Sequence, residues 1–596
     1  MKKLIYMIGT SLLAVGTLAS CSLDSEDITE KVSTNFPATE TDAEQMLQST
    51  YQNLNLVSAN PQRSFYYISM LASDDNLGGG GTNDKLMQAE DMLCNYGNDM
   101  TRQFWQDRYQ GIYRANDIIN AMEAGKVTGI KDARAKQIEG EARFLRAYYY
   151  YELASQYGNI PLKLDVSNDV VGQAKPEAVW GQILTDLKWA ADNMPAAKTS
   201  ATNAGHVDKY AAEAMLARAF LFYTGMYCNG DDLAGLTSTT YKPLESMTLA
   251  DGSTLTKQQV IGYIDDCVNK SGYSLVGDYR NLWAYSNRCT APDYAYDQDA
   301  DGKVDVNWAE NDGAVNPETL FAIKFNKLAS WSTTIGYANG YAIHFGVRGG
   351  QDYANTFPFG QGWGAGPVAA NMVSDWQATE PGDSRLNASV TKTSDMPSYK
   401  KGGWDDFVQE TDYYQMKEGP ITSYKDKAAG KCYPTFENAM YGSGGWANGA
   451  EDMQLDNIHD IVLIRFADVL LMQSELKEDV SGINKVRERA GLKLLGAYSL
   501  TALQNERRHE LAFEGVRWND IRRWHIAAAC LEKQTNTKTY YKGLDDTNAA
   551  HNGGYAARYN ATAGFFKIPE SEISLSKGAL QQNPGWGADA EYTGWK

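Results

Sequence analysis

The sequence predicts a mainly α fold: a scaffold of antiparallel helical pairs with a large loop-rich insertion containing short strands. Two observations carry this. Apolar residues recur at steps of three and four through long segments near both ends of the chain. Between about residues 228 and 458 that period gives way to Gly, Asn, Asp and aromatic residues with brief strand-like runs.

The elements follow in order. The segment TDAEQMLQSTYQNLN has helical spacing from Thr41, with Thr41 or Asp42 placed to cap it. From Thr101 to Ala124, residues Phe104, Tyr109, Ile112, Tyr113, Ala115, Ile118, Ile119 and Met122 form one apolar face. Further helices are expected at about 132–157, 178–194 and 208–227. Paired helices of this length, rich in Ala and Tyr, resemble tetratricopeptide repeats without their strict pattern, so the scaffold is TPR-like. Leu320 to Phe325 reads as a strand. Helical pattern returns at Ile461 (IVLIRFADVLLMQSEL), at Ile483–Ala490 and at Thr501–His525. One domain is expected over 38–596, with a helical frame at about 38–227 and 459–596 and a loop-rich region at about 228–458. Loops of that extent tend to be functional.

Residues 1–20 read as a signal peptide, with Lys2 and Lys3 before an apolar run from Leu4 to Leu18. Leu18-Ala19-Ser20-Cys21 resembles a lipobox, which makes Cys21 the expected lipidation site and residues 21–37 a flexible tether. No later stretch is apolar enough to span a bilayer. The net charge of −19 argues against nucleic acid and anionic membranes as partners. The other six cysteines are scattered without a CxxC pair, which implies neither a disulfide framework nor a zinc site.

Catalytic signatures are missing. His509-Glu510 has no second His at HExxH spacing, there is no GxSxG elbow, and Gly78–Gly81 lacks the GK[ST] of a phosphate loop. Carboxylates adjacent in sequence, such as Asp74-Asp75, say nothing of the cross-cleft separation a glycosidase needs. The chain is therefore not expected to be an enzyme. One local motif is sharper. Asp297, Asp299, Asp301 and Asp305, with Gly302 at the turn and a backbone carbonyl from Lys303, match a calcium loop. Trp308 stands where the bidentate Glu belongs, with Glu310 or Asp312 as substitutes. A structural Ca²⁺ bracing a loop is the expectation.

Three segments point to one family. They are EARFLRAYYYYEL (141–153) with YGNIPL (157–162), IRFADVLLM (464–472), and NERRHELAFEGVRWNDIRRW (505–524), echoed by QNPGW (582–586). With the lipobox, these resemble the SusD/RagB family of outer-membrane nutrient-binding lipoproteins. The acidic run after Cys21 resembles the surface-export signal of Bacteroidetes lipoproteins. The resemblance implies a lipid-anchored, cell-surface glycan-binding protein. It also implies a partner, a SusC-like TonB-dependent transporter, to which oligo- or polysaccharide is delivered. A peptide- or glycopeptide-binding RagB-like role and a surface glycoside hydrolase are the alternatives. In this family glycans bind on loops inserted in the helical frame. Aromatic platforms flanked by polar side chains suit neutral sugar rings. The candidates are Asp74, Asp75 and Asn76; Trp283, Tyr285 and Cys289; Trp331 and Tyr337; and Arg348, Tyr353, Phe359 and Trp363.

Overall fold

The computed structural model describes residues 36–587 except 59–60, 85, 87–88, 90–101, 198–204, 284–308, 310–314, 333–337, 350–355, 357–358, 397–398, 404–405, 421, 423, 427, 430, 443, 450 and 550–552. Helices α1 (Glu40–Ser58), α2 (Phe65–Ala72), α3 (Arg102–Glu123), α4 (Asp132–Tyr157), α5 (Pro176–Asn193) and α6 (Lys209–Met226) fall where the apolar spacing places them, with α2 in addition. Pro176 opens α5, and the Asp208 side chain caps α6 by accepting from Ala211 N at 2.9 Å. Helix α1 packs on α3, and from there each helix packs on the next, α3 on α4, α4 on α5 and α5 on α6. None of the helices among the described residues is long and apolar enough to cross a membrane.

The array extends beyond residue 227, further than the sequence reading placed it. Helix α7 (Lys257–Lys270) starts from a capping box between Thr256 and Gln259 and packs on α6. It also packs on α10 (Phe466–Lys477), which in turn packs on α11 (Ser481–Arg489). The loop-rich stretch between α7 and α10 holds α8 (Ala370–Thr379) and α9 (Phe436–Tyr441).

Two sequence expectations are corrected. The run from Ile461 to Arg465 is a strand, β2, and the helix begins only at Phe466. β2 pairs antiparallel with β1 (Thr319–Ile323), Thr319 opposite Arg465. A short run of β-branched residues looks alike in a helix and in a strand, and the partner strand decides. The expected helix at 501–525 is two, α12 (Leu500–Glu510) and α13 (Arg517–Arg523). The chain breaks where Phe513 and Gly515 take positive φ, and a Cβ on Gly515 would lie 2.7 Å from the Tyr66 ring.

Most charges of the 505–524 segment pair between elements, with Asp520 and Arg523 also pairing along α13 at 2.9 Å. Glu510 meets Arg465 at 2.6 Å and Arg385 at 2.9 Å, and also pairs with Arg489. Glu506 meets Arg385 at 2.7 Å and Arg487 at 2.9 Å. Arg507 reaches Asp468 at 2.6 Å and Asp520 at 2.8 Å. These groups are buried. Burial alone would raise the Glu510 carboxyl, but its arginines hold it well below the usual carboxylate range. The network ties the loop-rich stretch, through Glu318, Arg385 and Lys417, to the C-terminal helices. Removing one member would strand a buried charge.

Candidate functional site: an exposed aromatic face

Past β1 the chain runs outward, and Trp331 is 67% exposed. Its indole is held in place: Nε1 donates to Asp452 Oδ2 at 3.1 Å. Asp452 is fixed in turn, since its backbone N donates to Asp456 Oδ2 at 2.6 Å. Asp456 is fully buried and accepts from Asn438 at 3.0 Å and Asn448 at 2.9 Å. Burial pushes its carboxyl up. Leu328 is exposed beside this loop. Lys327 lies over the rings of Tyr441 and Trp446, 4.6 and 4.9 Å from their centroids. Ala447 N donates to Lys327 O at 2.9 Å, so the 326–332 and 441–456 loops are stitched together. The result is an oriented ring in water, with the Asp452 carboxylate beside it. Such a surface stacks on an apolar ring face and hydrogen-bonds its rim.

His459 anchors this face from beneath. Its Nδ1 lies 2.9 Å from Glu437 Oε1 and its Nε2 3.3 Å from Glu418 Oε2. Glu437 belongs to α9, the helix that ends at Tyr441.

Most other candidates from the sequence take different roles. Asp74 and Asp75 are buried: Asp74 pairs with Arg517 at 2.7 Å and Arg508 at 3.1 Å, and Asp75 with Arg508 at 2.8 Å. Burial alone would raise Asp74, but the two arginines hold it far below the usual range. Asn76 is buried, donating to Gly366 O at 2.7 Å. These three stitch the 74–76 turn to the C-terminal helices and to the 366 segment, and present no surface to a glycan. Trp283 is only 8% exposed and packs under Lys417, whose Nζ is 4.2 Å from the ring. Lys417 also meets Glu514 at 2.6 Å, and burial pulls its ammonium down to about 8. Phe359 is buried. Arg348 is turned inward, donating to Trp363 O at 2.7 Å and Asp406 at 2.8 Å. Trp363 is half-buried, its ring edge-on to His344 at 4.6 Å. Tyr285, Cys289, Tyr337, Tyr353 and the acidic loop Asp297, Asp299, Asp301, Lys303 and Asp305 lie outside the described residues. Among the described residues no group of His, Cys, Asp and Glu could hold a metal ion.

Sequence reasoning missed Tyr441, Trp446, Lys327 and Asp452. The signal was present: YGSGGWANGAED (441–452) sets aromatics among Gly, Asn and acidic residues, as the 348–363 stretch does.

Sequence comparison closes on the same architecture. A model described as the SusD family matches residues 317–586. A second, described as starch-binding and associating with the outer membrane, matches residues 23–221. The chain belongs to the SusD family. A SusD-like protein of Bacteroides ovatus is 23% identical over 70% of this chain, and the match spans 65% of that relative's length. SusD-like protein P2 of Formosa agariphila is 24% identical over 86% of this chain and 90% of its own. Among solved structures, a laminarin-binding SusD-like protein superposes with a TM-score of 0.64 at 22% identity, covering 92% of this chain and all of that one. That likeness gives the fold: a SusD-type helical frame carrying a loop-built face.

Proposed function

We propose that this SusD-family chain is a cell-surface glycan-binding lipoprotein that uses the Trp331 face to capture neutral oligo- or polysaccharide. The observation that carries this reading is the exposed indole, oriented by Asp452. A laminarin-binding protein shares the fold. Lipidation at Cys21 would tether the body at the outer membrane, and a SusC-like TonB-dependent transporter would receive the sugar. Neither bond making nor bond breaking is required, because the work is capture and hand-over. The 297–305 loop would bind Ca²⁺ as a structural ion, through the carboxylates named above.

Native affinity electrophoresis through gels containing laminarin, starch and other neutral polysaccharides tests the reading. Migration should be retarded in at least one gel, and Trp331→Ala should abolish that retardation while leaving the fold intact. A protein retarded by none of them, or a Trp331→Ala variant retarded as strongly as the parent, would sink it.

A further inference from the structure

A half-enclosed cavity of about 200 Å³ opens on the helical scaffold and shares no residue with the Trp331 face. Its apolar walls include Phe220 of α6, Leu244, Leu476 of α10 and Leu500 at the start of α12, with Tyr241 and Tyr498 among them. The walls are held in place. Leu244 N donates to Thr224 O at 3.0 Å, which fixes the 241–244 segment on α6. The Ser499 side chain caps α12, accepting from Ala502 N at 3.2 Å, which fixes the segment that carries Tyr498. An apolar cavity of about 150 Å³ is enough to hold benzene, so this one has room for a six-membered ring and a substituent.

The polar groups around the cavity narrow the choice of ring. Glu475 is spent, since its carboxylate accepts from Arg523 Nη2 at 2.8 Å and from Trp524 Nε1 at 2.9 Å. Lys257 is paired with Glu478 at 2.8 Å, and the Thr224 hydroxyl donates to Phe220 O at 2.7 Å. Two phenol hydroxyls remain. That of Tyr241 is 3.5 Å from Glu475 Oε1, the outer limit of a hydrogen bond. That of Tyr498 makes no hydrogen bond with any described residue. An ionic ligand therefore finds no free counter-charge here. A sugar brings more hydroxyls than these walls can partner, and a bare hydrocarbon would cover the two tyrosine hydroxyls without replacing their water. A neutral ring with a single hydroxyl meets both conditions. Its face lies against leucine and phenylalanine, and its hydroxyl can donate to one tyrosine oxygen or accept from another.

We propose that this cavity is a second binding site, for a small neutral phenolic molecule. The ring enters between the α6, α10 and α12 walls, and Tyr241 and Tyr498 hold its hydroxyl. The site works independently of the loop face.

Saturation-transfer difference NMR titrations with phenol, toluene and glucose are the test. They are run on the full chain carrying Trp331→Ala, so that the exposed indole cannot stack on a probe. Phenol should show ring-proton saturation and bind more tightly than toluene or glucose. Adding Tyr498→Phe keeps the ring and removes its hydroxyl. It should weaken phenol about three- to tenfold, the worth of one hydrogen bond, with the melting temperature unchanged. Adding Leu244→Trp instead fills the cavity and should abolish phenol binding. Absence of phenol saturation, glucose or toluene bound as tightly as phenol, or phenol binding indifferent to Tyr498→Phe would each overturn the proposal. Because Tyr498→Phe is a conservative change, that result stands even if Leu244→Trp fails to fold.

Discussion

Replacing His459 with leucine should loosen the aromatic face from below, and pH should reveal why. The imidazole is buried between Glu418 and Glu437. Burial alone would lower its pKa, but the two carboxylates outweigh that and push it from 6.5 up to about 10. A change of that size corresponds to about 5 kcal/mol, at about 1.36 kcal/mol per pH unit. Burial pushes the Glu418 carboxyl up too, which offsets part of the gain. Breaking such a buried pair typically costs about 3–5 kcal/mol, and about 3 is the figure to expect here. The sign follows from linkage. The folded-state value lies above the unfolded one, so the stabilisation is full below 6.5 and is lost as pH rises from 6.5 through about 10. Denaturant unfolding of the parent and of His459→Leu, at about pH 6, 8 and 10, measures the gap between them. That gap should be widest near pH 6 and should close toward pH 10. A gap independent of pH, or one that widens with pH, would refute the clamp. Because Glu437 sits on the helix that ends at Tyr441, polysaccharide retardation of the parent should weaken over the same interval.

Other perturbations separate structure from binding. Trp283→Ala empties a buried site and should cost about 3–5 kcal/mol in denaturant unfolding, whereas Trp331→Ala, on an exposed ring, should change stability by no more than about 0.5 kcal/mol. Asp74→Ala leaves Arg517 buried without its carboxylate and should cost about 3–5 kcal/mol, with glycan retardation of the folded protein unchanged. Ca²⁺ added to chelated protein should raise the melting temperature, and Asp301→Ala should remove the increase; an identical melt with and without Ca²⁺ would rule out the loop as a calcium site. Cys21→Ala should leave retardation of the purified protein intact while releasing the chain from the membrane fraction of cells, and loss of retardation would mean that anchor and site are not separable.

Part of the helical frame was legible because a helix such as α3 buries one apolar stripe, and a 3.6-residue period records that burial along the chain. Helices α4 and α6 are buried on nearly all sides and carry no such stripe; Gly158 closes α4 and Asp208 caps the start of α6. The same logic failed at Ile461–Arg465, where backbone pairing with Thr319–Ile323 sets the conformation and no local period can report a partner so distant in sequence. It failed again at 511–516, where the break turns Glu510 and Glu514 toward Arg465.

For the candidate site the division is sharper. Aromatic and acidic residues in Gly-rich loops drew attention to several loops, and Trp331, which the fold leaves exposed, was among them. Composition could not separate an exposed indole from a buried one. Trp283 and Trp331 both sit in loop-like sequence, yet one is sealed beneath Lys417 and the other stands in solvent. Asp74 and Asp75 looked like ligand carboxylates until Arg508 and Arg517, more than 400 residues away in sequence, closed on them. The sequence alone determined the helical frame, the family and the chemical character of the loops, because each is written in local pattern. Tertiary structure decided which side chains face water and which face a countercharge, because burial and ion pairing are set by residues brought together only when the chain folds.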